Sequence, residues 1–182
     1  MKKALACTMF LGVVLSLPAA ADDASLRFRG GIGAIPVSSV TCVPSATPCA
    51  TSPTVTLTVN LNVVRGQQPG GQIWVIDRLD AEVSANGNIR VHGDGMILGG
   101  GNGAGGVPAG LNVLATLSCL STSPFGLSST SPAGVAVSPN GDFQINGMLS
   151  PKPTFPCANP LLLIQSAANL HWFALGIPRS DR

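Results

Sequence analysis

The chain has 182 residues, of which only 10% are charged, and its 22 Gly and 15 Pro punctuate it too often for long helices. Its formal charge of +2 rests on Lys2 and Lys3 in an export-type leader; the remainder balances eight basic against eight acidic residues. Nucleic-acid binders need clustered basic charge to displace counterions from phosphates, so this balance argues against one.

Lys2-Lys3, the uncharged run Ala4–Leu17, and Pro18 before Ala19-Ala20-Ala21 read as a signal peptide cleaved before Asp22. The run is shorter than the ~20 residues a membrane-spanning helix needs, and Cys7 departs with it. Residues 22–182 are expected to form a single β-domain of 161 residues, enough to bury roughly two thirds of its unfolded surface.

Hydrophobic alternation with period two then marks the strands. The first expected strand is Leu26–Phe28. A Pro- and Ser-rich stretch, 30–54, follows and contains Cys42 and Cys49. "VTLTVNLNV" (Val55–Val63) alternates strictly, with Val and Leu on one face and Thr and Asn on the other. Ile73–Ser84, Asn88–Leu98, Leu111–Leu120, Gly134–Ser138, Asp142–Leu149, Leu161–Gln165 and His171–Ile177 complete the set. Gly99–Gly110 and Ser121–Ala133 read as loops by composition. The expected fold is all-β: an antiparallel β-sandwich, or a small closed barrel, of about eight strands with no significant helix after the leader. The composition argues against a membrane barrel, because no Tyr and two Trp cannot build aromatic girdles. In general look the chain resembles a small exported bacterial protein, a likeness that adds no mechanism.

One turn occurs twice. "VSANGNIRVHG" from Val83 returns 54 positions later as "VSPNGDFQING" from Val137. A three-residue loop, Ala85-Asn86-Gly87, opposes Val83 to Ile89, Ala81 to Val91 and Leu79 to Gly93, all on one face. The same register in the second copy, with Pro139, Asn140 and Gly141 in the loop, opposes Val137 to Phe143 and Val135 to Ile145. Asn-Gly suits a turn whose last residue is left-handed, and Pro139 suits a position that fixes φ. The repeat is turn chemistry, not a repeated active element.

Four cysteines remain outside the leader: Cys42, Cys49, Cys119 and Cys157. An even number in an exported chain favours disulfides, and zinc-type C-x-x-C spacing is absent, so no metal is expected. The expected pairs are Cys42–Cys49 and Cys119–Cys157, with crossed pairings open to the sequence.

The hairpin register places Glu82 opposite Arg90, Asp80 opposite His92 and Arg78 opposite Asp94. The plain reading is a solvated ladder of complementary pairs. The catalytic reading takes Asp80, Glu82 and His92 as a metal or acid–base cluster, weakened by the neighbouring guanidinium groups. Gly101, Gly103 and Gly106 satisfy G-x-G-x-x-G, but Pro108 and a strand follow where a dinucleotide site needs a helix, so no cofactor is expected. No G-x-S-x-G element accompanies the serines, and His171 lies in an apolar run. Trp74 and Trp172 could stack on sugars, yet each sits in a core-like segment. The reading that results is a non-catalytic, secreted or periplasmic β-protein that binds or associates outside the cytoplasm, with a glycan or another protein as partner. The alternatives are a secreted hydrolase using Asp80, Glu82 and His92, and an oligomerising, adhesin-like subunit pairing through a free sheet edge.

Overall fold

The computed structural model describes residues 25–36, 39–41, 56–58 and 62–179. The leader, Cys42, Cys49 and residues 55 and 59–61 of the Val55–Val63 run lie outside these residues. The described chain is all-β with thirteen strands and no helix. They are β1 (Ser25–Gly33), β2 (Ser39–Thr41), β3 (Thr56–Thr58), β4 (Trp74–Val75), β5 (Arg78–Ser84), β6 (Asn88–Asp94), β7 (Ile97–Leu98), β8 (Asn112–Ser118), β9 (Leu127–Ser129), β10 (Val135–Ala136), β11 (Phe143–Met148), β12 (Leu161–Ser166) and β13 (Trp172–Arg179). Eight run antiparallel in the order β10-β8-β12-β13-β1-β5-β6-β11, and this sheet curls until its edges nearly meet as a barrel. Two minor pairs, β2–β3 and β4–β7, stand outside it.

The expected long strands at Ile73–Ser84 and Asn88–Leu98 each divide in two. Asp77 and Gly95 form the breaks, and Asp77 N–H donates to Asp94 O across them at 3.1 Å. The ends of both segments then pair with each other as β4 and β7. β9, by contrast, arises inside the stretch read as a loop. Its Ser-rich sequence carries no apolar alternation, and it is a strand because the edge of β8 offers Thr116–Ser118 for pairing.

The β5–β6 hairpin takes the three-residue register, with Val83 opposite Ile89, Ala81 opposite Val91 and Leu79 opposite Gly93. Gly87 stands at φ 94° and the Asn86 side-chain oxygen accepts the Asn88 N–H at 2.9 Å. The second copy forms the same turn: Gly141 stands at φ 88°, and Ser138 bonds Asp142 and Gly141 as the first copy predicts. Beyond that point the expected ladder is corrected. Val135 pairs with Val113 of β8, and Phe143 pairs with Gly93 of β6. The turn therefore joins the two edges of the sheet, and its strands separate into the seam of the barrel.

Inward-facing Phe28, Leu79, Val83, Ile89, Val91, Phe143, Ile145, Val113, Leu117, Leu162 and Ile164 fill the interior. Each such aliphatic or aromatic side chain contributes about 1.5–3 kcal/mol relative to exposure. β8 and β12 are buried on their outer faces too, where Leu114, Thr116, Ser118, Leu163 and Gln165 are all within 1% of full burial. The covering is the segment 62–70, tied down at named points. Val64 and Gln67 exchange backbone hydrogen bonds around Arg65-Gly66, and Arg65 donates to Ser118 O and Oγ at 2.8 and 2.9 Å. Partial burial lowers the Arg65 pKa by desolvation. Gln165 donates to Gln67 and to Leu170 O, and accepts from Thr116. Every buried polar side chain described here has a partner, as a stable interior requires.

Cys119 and Cys157 form a disulfide with Cα atoms 4.8 Å apart, as the sequence pairing expects. It ties the end of β8 to the loop before β12. Such a bond suits a non-reducing compartment. No helix among the described residues is long and apolar enough to cross a membrane.

Candidate functional site

Alternation on five adjacent strands sends one residue in two outward, and there the charged residues collect. The ladder registers align Arg179, Arg27, Glu82, Arg90 and Asn146 in one row across β13, β1, β5, β6 and β11. A second row holds Arg29, Asp80, His92 and Gln144. Arg78 and Asp94 follow at the next position along β5 and β6. Five of the six arginines among the described residues thus share this face with three carboxylates. On this face lies a shallow, wide-mouthed trough of about 360 Å³. A second depression continues from it toward the Ala85-Asn86-Gly87 turn, sharing Glu82, Arg90 and Asn146.

The ion pairs are not the ones the hairpin alone implies. Glu82, Asp80 and Asp94 do lie opposite Arg90, His92 and Arg78, but their close contacts are elsewhere. Glu82 pairs with Arg27 at 3.7 Å, and Asp80 with Arg29 at 3.4 Å, both across to β1. Asp80 also accepts from Arg78 Nε at 2.5 Å, two residues back on its own strand. That hydrogen bond, and then the charge of Asp80, raise the Arg78 pKa above its ordinary value. His92 Nε2 lies 2.9 Å from Asp94 Oδ1. Among the described residues, no carboxylate reaches Arg90 or Arg179 at ion-pair distance.

This arrangement is poorly suited to acid–base chemistry. Asp80 is engaged by two guanidinium groups, His92 is engaged by Asp94, and the trough lining holds no serine, threonine or cysteine beside His92. Among the described residues no cluster of three or more His, Cys, Asp or Glu could hold a metal ion. His171 lies in the turn before β13, where its N–H is taken by Asn169 Oδ1, and it does not line the trough. Trp74 and Trp172 are 4% and 2% exposed, which removes both as sugar platforms. Trp74 packs on Phe173 with ring centroids 4.2 Å apart, and Trp172 Nε1 donates to Asn62 O. Gly101, Gly103 and Gly106 lie in successive turns that fold back on Leu98 before β8, and no helix follows them.

The hairpin alone does not reveal Arg27, Arg29, Arg179, Gln144 and Asn146. "LRFRG" does alternate Arg around Phe28, and "FQING" alternates polar residues around Ile145. Those patterns mark wet faces without saying which strand lies beside which.

The surface pairs are mostly exposed, and such pairs contribute about 0–1 kcal/mol. Glu82→Ala and Asp80→Ala are each expected to change the free energy of unfolding by less than ~1 kcal/mol in urea titration. A metal ion lost on either substitution would reinstate the catalytic reading.

The chain matches no protein-family model, no curated protein and no solved structure.

Proposed function

We propose that this is an exported, non-catalytic β-protein, freed of its leader before Asp22, that works by binding outside the cytoplasm through the arginine-rich trough. One observation carries the reading. The molecule gathers most of its described charge on one sheet face, and guanidinium groups or a neighbouring histidine already pair with the carboxylates there. A site of that kind offers donors in excess and no free base, which favours holding a ligand over transforming it. The Cys119–Cys157 bond supports a compartment outside the reducing cytoplasm.

The adhesin-like alternative requires a free edge, and here β10 and β11 approach each other instead. The hydrolase alternative requires turnover from Asp80 and His92. A broad hydrolase panel on purified protein tests it, together with a glycan and protein array read before and after Arg90→Ala. The expected outcome is no turnover and a retained ligand weakened by the substitution. Turnover abolished by His92→Ala, with folding unchanged, would refute the binding reading.

A further inference from the structure

Which ligand the trough takes follows from the order of charges along its first row. Arg179, Arg27, Glu82, Arg90 and Asn146 sit on five successive strands. Arg27 is matched by Glu82, whereas Arg90 and Arg179 have no carboxylate partner among the described residues. Those two lie three strand spacings apart, about 14 Å at ~4.8 Å per strand. No single small anion spans that distance, so two separate negative charges on an extended ligand are needed. The depression beside the trough, which shares Glu82, Arg90 and Asn146, lengthens the same surface.

Between the two guanidiniums lie the carboxylates of Glu82 and, in the next row, Asp80, while the amides of Asn146 and Gln144 stand just beyond Arg90 and His92 on β11. Carboxylates repel a densely charged strand, but they accept hydrogen bonds from hydroxyl groups. Nor does any exposed aromatic ring stand on this face to stack a base, as single-strand nucleic-acid binders require: Phe28, the one aromatic residue lining the trough, is buried at 2% exposure. Sparse anions separated by hydroxyl donors are the pattern of an acidic sugar chain.

We propose that the trough binds a linear acidic polysaccharide. Arg90 and Arg179 take its carboxylate or sulfate groups, and Glu82 and Asp80 take its hydroxyls. This inference rests on the binding reading above and adds the ligand class to it.

The test is affinity electrophoresis or calorimetry of the purified protein with polygalacturonate, dextran sulfate, neutral dextran, poly-glutamate and a single-stranded polynucleotide. Polygalacturonate and dextran sulfate separate carboxylate from sulfate as the anion. Binding to at least one of them is expected, weakened by added salt, with neutral dextran inert. Arg90→Gln with Arg179→Gln is expected to weaken it about tenfold or more, since charge-assisted hydrogen bonds are lost. Both side chains are exposed, so an unchanged melting curve is the expected folding control. Neutral dextran held as tightly, and released by the same variant, would overturn the acidic class while leaving the trough as the binding face. Binding that the variant does not alter would overturn both. Tighter retention of poly-glutamate or polynucleotide, or retention of no polysaccharide, would overturn the inference.

Discussion

Replacing Cys119 and Cys157 together by alanine is expected to lower the unfolding free energy by about 4 kcal/mol. The bond spans a sequence separation of 38 residues. In the chain-entropy relation, a loop of that length frees the unfolded ensemble by roughly this amount when it is opened. A Cys42–Cys49 bond, closing a much shorter loop, would contribute less by the same relation. The folded state should loosen locally as well. Asn159 N–H donates to Cys119 O at 3.1 Å, and that bond depends on the bridge holding the 157–160 segment against the end of β8. Faster hydrogen exchange at Asn159 should therefore accompany the loss in urea titration. A change below ~1 kcal/mol would show that the loop before β12 is held by packing alone.

The second large effect separates two turns of nearly the same sequence. Gly87→Ala and Gly141→Ala place a β-carbon on residues with φ of 94° and 88°, a conformation that costs an L-residue about 1 kcal/mol or more. At Gly87 the nearest obstacle is Pro153 Cδ at 3.6 Å, an ordinary contact. At Gly141 the added atom would lie 2.5 Å from Met96 N and 2.7 Å from Met96 O. Met96 is fully buried, and its N–H donates to Gly141 O at 3.0 Å. Relief therefore means moving the core or breaking that bond. Gly87→Ala is expected to cost about 1 kcal/mol and Gly141→Ala about 3 kcal/mol or more. Equal costs for the two, in parallel denaturation curves, would show that the seam of the barrel yields easily.

Those two glycines also divide what is local from what is not. Hydrophobic alternation around Ala85-Asn86-Gly87 sufficed to set the β5–β6 register, because a slip by one residue would turn Val83, Ile89 and Val91 out to water. The all-β class was legible for the same reason, and the Cys119–Cys157 bond from the strand end and loop it joins. The ion-pair partners were not. Asp80 meets Arg29 because β1 lies on the far side of β5, a neighbour that no local pattern names. Alternation also reports only one buried face, so nothing in "NVLATLS" announced that segment 62–70 would cover the other. Identical turns at 85–87 and 139–141 then led to different ladders. β8 and β6 compete for the strands of the second turn, and each wins one.

The sequence by itself thus determined the strands, the turns and the outward alternation of charge, since these depend on sterics and solvation within a few residues. Only the tertiary structure decided that five outward faces lie side by side and assemble a trough. That outcome depends on which distant strands close the barrel, a choice made by the summed burial of many side chains and not by any one of them.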